Sequence, residues 1–162
     1  MPPSETYRRR VNALAIVASA AFFGGNLFIG LSMGTHRLSL DPLVFMHGFW
    51  PQFTSFLYTI MPLFLLTLVG LIFSARLDWD QPRLKRLWLI AIALYVATSL
   101  ITMAYHLPEN LRLRAALYTS EEAAAALRYW LIGHVPRVLL SLGIPLLALR
   151  AVRARPVIGP KG

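Results

Sequence analysis

Tyr105-His106-Leu107-Pro108-Glu109-Asn110, then an acidic, alanine-rich link, then Arg128-Tyr129-Trp130-Leu131-Ile132-Gly133-His134-Val135-Pro136-Arg137: the reading of this chain turns on that stretch. Two apolar segments flank it, each long enough to cross a bilayer. Arg137 falls one helical turn past His134, inside sequence that is otherwise apolar. A charge at that depth is expensive and marks either function or a specific partner. The stretch is therefore read as the site, and the remainder as a membrane scaffold that carries it.

Working outward, the composition agrees. Of 162 residues, 57% are hydrophobic and 14% charged, where soluble domains carry about 25% charged residues. The formal charge of +9 sits mostly in short segments between apolar runs, where it orients a membrane protein rather than binding nucleic acid. There is no cysteine, which excludes disulfides, iron–sulfur clusters and thiolate metal sites.

Four spans are predicted, near residues 11–33, 54–75, 87–106 and 128–149. A basic start, Arg8-Arg9-Arg10, and Ala18-Ser19-Ala20 also fit a cleaved signal peptide, but the first apolar run continues well past that site. Residues 34–53 read as a loop, broken by Gly34, Pro42, Gly48 and Pro51. Its Phe45, Phe49, Trp50 and Phe53 suit the membrane interface, where Trp anchors. The third span carries a stripe of Tyr95, Ser99, Thr102 and His106 at helical steps. Thr119-Ser120-Glu121-Glu122 matches a capping box that starts the fourth helix. The basic residues Arg8 to Arg10, Arg76, Arg83, Lys85, Arg86, Arg150, Arg153, Arg155 and Lys161 fall to one side. Arg37, Arg112, Arg114 and Arg128 fall to the other. The expectation is an all-α, multi-pass four-helix bundle in the cytoplasmic (inner) membrane, with both termini cytoplasmic. Its parts are a short segment 1–10, a transmembrane domain 11–149 and a basic, disordered tail 150–162.

The candidate site gathers His134 and Arg137, three apart on one helix face, with Trp130 one turn before. His106, Glu109 and Asn110 end the neighbouring span, Thr102 lies a turn below, and Asn26 faces them from the first span. Two chemistries fit. In one, neutral His134 is a general base and Arg137 stabilises the oxyanion left on a deprotonated substrate. In the other, His106, His134 and His47, with Glu109, bind Cu, Fe or Zn, although neither His-Glu-x-x-His nor His-x-His is present. A purely structural reading has Arg137 paired with Glu109 and the histidines bridging helices.

His106-Leu107-Pro108-Glu109-Asn110 followed by Trp130, His134 and Arg137 resembles the anthrone oxygenase-like family of small four-helix membrane proteins. Pro108 and Asn110 match its element at the end of the third helix, and Trp130, His134 and Arg137 match the one opening the fourth. The glycine-rich first helix, with Gly24, Gly25 and Gly30, is also similar. The chain departs from the family at His106, where many members have Asn, at Gly133, where Asn often precedes the His, and at Pro136. The resemblance implies oxidation of an anthrone- or phenol-like aromatic by dioxygen with no redox cofactor, on a lipid-soluble substrate that enters from the bilayer. The implied roles are catalytic for His134, Arg137, Asn110 and His106, and substrate-binding for Asn26, Trp130, Thr102 and Glu109. The alternative is a non-catalytic membrane subunit that binds a hydrophobic ligand or a partner protein, as a homo-oligomer or in a larger complex. An alternating-access transporter is disfavoured by the lack of an inverted repeat.

Overall fold

A computed structural model describes residues 4–115 and 117–155, apart from the side chains of Met33 and Trp50. The expected anchoring by Trp50 and the tail beyond Arg155 lie outside the described residues. Helix α1 (Glu5–Phe28) starts at Ser4, whose hydroxyl accepts the Tyr7 amide, and passes through a π-helical turn (Ile29–Met33) into α2 (Gly34–Leu38). Helix α3 (Pro42–Leu77) is capped by Asp41, whose carboxylate accepts the amides of Leu43 at 2.9 Å and Val44 at 3.2 Å. Helix α4 (Pro82–Ile101) runs through a second π turn (Thr102–His106) into α5 (Leu107–Arg114). Helix α6 (Ser120–Arg153) opens with the expected capping box, Glu122 reaching back to the Thr119 amide at 2.8 Å. Four stretches are long and apolar enough to cross a membrane: Glu5–Leu38, Pro51–Leu77, Pro82–Arg114 and Ser120–Arg153. The described residues contain no strand, and the fold is the expected all-α bundle.

Two expectations need correction. Residues 34–53 are not an open loop; helix occupies all of them except Ser39–Asp41. Pro42 sits in the first turn of α3, where its missing amide costs nothing. Pro51 lies inside the helix and is exposed. Nor does the third helix end at His106. The π turn widens the hydrogen-bond register just before Pro108, which relieves the clash a proline ring makes with the carbonyl four residues back. The chain therefore continues helically to Arg114.

Both ends of the bundle have cores of their own. At one end Ala15, Leu71, Ala75, Leu84, Trp88, Ile144 and Ala148 are buried together, small residues letting the helices approach closely. The same end carries a buried ion cluster. The Asp78 carboxylate, its side chain 0% exposed, accepts from Arg8 (3.0 Å), from Arg155 (2.8 Å to each oxygen) and from the Trp88 indole (2.8 Å). With its amide oriented to suit its neighbours, Asn12 donates to Ser74 Oγ at 2.9 Å and accepts from Arg155 at 2.7 Å. These bonds tie the start of α1, the α3–α4 turn and the end of α6 to one end of the bundle. At the other end Phe45, Met46, Phe49, Leu113, Ala123 and Leu127 form a second core. The polar residues of the predicted site lie between the two.

Candidate active site

The site is built on an imidazole held at both nitrogens. Arg137 Nη1 donates to His134 Nδ1 at 3.0 Å. A guanidinium only donates, so Nδ1 carries the lone pair and Nε2 the proton. Nε2–H donates to the main-chain carbonyl of Asn26 at 2.8 Å. Arg137 Nη2 donates to the Asn26 side-chain oxygen at 3.1 Å, and the Asn26 amide nitrogen donates to the Phe22 carbonyl at 2.9 Å. A closed ring of bonds thus fixes Arg137 through His134 and Asn26. Gly30 makes room for it: a Cβ there would stand 2.7 Å from His134 Cδ2. Gly30 lies in the π turn that follows α1, where the altered register sets α1 against the imidazole.

Trp130 stacks on His134, with ring centroids 5.3 Å apart and an interplanar angle of 9°. Its indole N–H donates to Asn110 Oδ1 at 2.9 Å. His106 meets Trp130 edge-on at 5.1 Å and His134 edge-on at 5.6 Å. His106 is 1% exposed, yet neither of its ring nitrogens has a hydrogen-bond partner among the described residues. The Gly133 carbonyl stands near the ring but outside hydrogen-bond geometry.

These residues border a cavity of about 280 Å³. Its apolar wall includes Phe22, Phe53, Phe56 and Phe64, and its polar end holds Thr102, His106, Asn110 and Arg137 beside Trp130. Met61 and Met103 line it as well and are exposed on the flank of the bundle. The structure therefore brings together His106, Asn110, Trp130, Arg137 and Thr102 as cavity lining. His134 and Asn26 stand behind, bonded to Arg137. Thr102 also donates to its own helix, to the Thr98 carbonyl at 2.9 Å.

Glu109 is not brought to the cavity. It accepts from the Tyr118 hydroxyl at 2.6 Å and pairs with Arg112 at 3.8 Å, so the alternative Arg137–Glu109 ion pair does not form. Burial, and then that bond to the carboxylate, holds the Tyr118 phenol above its usual range. His47 is exposed on α3, and among the described residues no group of three or more His, Asp or Glu side chains stands close enough to share an ion. Of the histidines of the metal alternative, His106 and His134 meet each other, and His47 stands on the surface of α3.

The sequence profile of the anthrone oxygenase family matches residues 50–146, more than half of the chain. The chain belongs to the anthrone oxygenase family. No curated protein and no solved structure matches it significantly. In this anthrone oxygenase family member the matched segment contains His106, Asn110, Trp130, His134 and Arg137, while Asn26 lies before it. At Gly133 a Cβ would stand 2.5 Å from the Tyr105 ring, so a side chain there would push that ring aside.

One residue of the site was missed in the sequence. Arg37 lines the same cavity, is 3% exposed, and places its guanidinium over Phe45, Phe49 and Trp130 at 5.5, 5.2 and 5.8 Å. The signal was present. Asn26, Gly30, Gly34 and Arg37 follow at steps of four, four and three, one helix face, but only once residues 34–38 are taken as helix.

Proposed function

We propose that this protein is a membrane-embedded oxygenase that deprotonates a hydrophobic, anthrone-like aromatic ketone and passes the carbanion to dioxygen. The observation that carries this reading is His106. A buried imidazole with no partner costs about 1–3 kcal/mol, and it is kept on the wall of a mostly apolar cavity beside a fixed guanidinium. A ligand with an ionisable C–H or O–H next to a carbonyl satisfies both groups. We assign proton abstraction to His106, whose lone pair is free, rather than to His134, whose lone pair is occupied by Arg137. Arg137 faces the carbonyl oxygen and stabilises the enolate. His134 and Asn26 are positioning residues that fix the guanidinium before substrate arrives.

The carbanion then forms a carbon–oxygen bond to dioxygen, the peroxide anion takes up a proton, and loss of water leaves a new carbonyl. One anthrone and one dioxygen give one quinone and one water, with the substrate as the only reductant. The side chains of this chain supply the base and the oxyanion contact, and we expect no cofactor to be needed. The exposure of Met61 and Met103, which line the cavity, supports entry of a flat, lipid-soluble substrate from the bilayer. We place the Asp78 end in the cytoplasm on the basic residues around it.

Purified protein supplied with anthrone, followed by an oxygen electrode and by quinone absorbance, tests the reading. Uptake and quinone should rise together in equal amounts, and Arg137→Gln should lower the rate by about 10²–10³-fold. Uptake no faster than the spontaneous oxidation of anthrone overturns it. Saturable binding without turnover would make the chain a ligand-holding subunit instead.

A further inference from the structure

We propose that Arg37 is a second anion-binding group in this cavity and that the natural substrate is an aromatic acid, its carboxylate at Arg37 and its ionising carbonyl at Arg137. The inference rests on the same cavity being the ligand site, and it names what that cavity selects.

Charge balance is the first observation. Among the described residues the charged side chains lining the cavity are Arg37 and Arg137, with no acidic residue beside them. Neither arginine forms an ion pair among the described residues; the paired acids serve Arg8, Arg9, Arg112 and Arg155. Two cations beside an apolar space, without a counter-charge, ask for an anion. Arg137 has two acceptors in His134 and Asn26. Among the described residues Arg37 has one long hydrogen bond, to Gln52 Oε1 at 3.5 Å, and its Nε has no acceptor.

Geometry is the second. Phe45, Phe49 and Trp130 surround the Arg37 guanidinium. Contacts with aromatic rings use its positive charge but not its hydrogen bonds, and its N–H donors remain in the guanidinium plane. A carboxylate accepts two such donors in parallel. Arg37 touches Trp130 while Arg137 bonds His134, so the two cations meet different rings of one stack. A ligand therefore meets two distinct positive points along that stack. A planar aromatic with oxygens at two places on its frame matches this; a neutral hydrocarbon does not.

The test is a binding comparison with ligands that do not turn over: an anthraquinone carboxylate and the matching anthraquinone carboxamide, titrated against the purified protein by quenching of tryptophan fluorescence. The wild type should bind the carboxylate about tenfold or more tightly than the carboxamide. Arg37→Gln should erase that preference, weakening carboxylate binding far more than carboxamide binding. Arg37→Lys, which keeps the charge without the fork, should retain part of it and serves if Arg37→Gln fails to fold. No preference in the wild type, or a preference that survives in Arg37→Gln, overturns the proposal and leaves Arg37 as a plug against three aromatic rings. Failure of both probes to bind overturns it together with the cavity as a ligand site. Oxygen uptake is not read here, so carboxylate selectivity without oxygenase activity upholds this inference while removing the proposed reaction.

Discussion

Gly30→Ala probes the ring of bonds that fixes Arg137 without removing a polar atom. The new Cβ would stand 2.7 Å from His134 Cδ2, 3.3 Å from Nε2 and 3.6 Å from Val138 Cγ2. Carbon atoms settle at about 3.5–4.0 Å, so the imidazole must retreat by roughly 0.8 Å or more. It has little freedom, stacked on Trp130 and bonded at both nitrogens. A retreat of that size, directed along the bond, stretches the 2.8 Å bond to the Asn26 carbonyl to about 3.6 Å, beyond useful hydrogen-bond length. The buried groups left unsatisfied cost about 1–3 kcal/mol. At about 2–4 °C per kcal/mol for a chain of this size, the melting temperature in detergent should fall by about 2–12 °C. Arg137 moves with the ring, and a misplacement near 1 Å lowers turnover by about 10²-fold. Gly24→Ala is the matched control, since nothing lies within 4 Å of its would-be Cβ; it should stay within about 0.5 kcal/mol of wild type. Melting followed by tryptophan fluorescence, with anthrone turnover on the same samples, reads both effects. A Gly30→Ala protein as stable and as active as Gly24→Ala would refute the packing on which the site rests.

The other expectations are shorter. Asp78→Asn leaves Arg8 and Arg155 facing each other with no counter-charge at a buried point, and should cost about 3–5 kcal/mol in a thermal or denaturant melt. Trp130→Phe keeps an aromatic face for His134 but strands the buried Asn110 oxygen, which now accepts the indole N–H; stability should drop by about 1–3 kcal/mol, and anthrone turnover should drop with it. Excess chelator should leave oxygen uptake unchanged, measured with the same electrode. Activity lost to chelator and restored by one added metal would instead place His106 among metal ligands.

Much of this architecture could be read from the residues. The apolar runs mark four long helices, and Thr119 with Glu122 marks where α6 begins. The helical content of 34–53 was not legible, because Gly34, Pro42, Gly48 and Pro51 are loop signals in most contexts and only packing shows which are tolerated in helix. The two π turns leave no mark in sequence at all, yet one ends at His106 and the other contains Gly30. The Asp78 cluster escaped notice for another reason: its cations lie 70 residues before it and 77 after it, and a basic turn hid the one acid that mattered. His106, His134 and Arg137 were all visible as a group. Which imidazole is free and which is occupied depends on the Asn26 carbonyl, across the bundle from both.

Proton abstraction by His106 can be measured apart from oxygen chemistry. Under anaerobic conditions in D₂O, NMR follows exchange of the acidic methylene protons of anthrone with and without the protein. Wild-type protein should accelerate that exchange, and His106→Gln should lower the acceleration by about 10²–10⁴-fold, the usual contribution of a general base, with the fold confirmed by melting. His134→Gln should retain a measurable part of it, because that ring only holds Arg137. Exchange that persists in His106→Gln and vanishes in His134→Gln would contradict the account and return the base to His134.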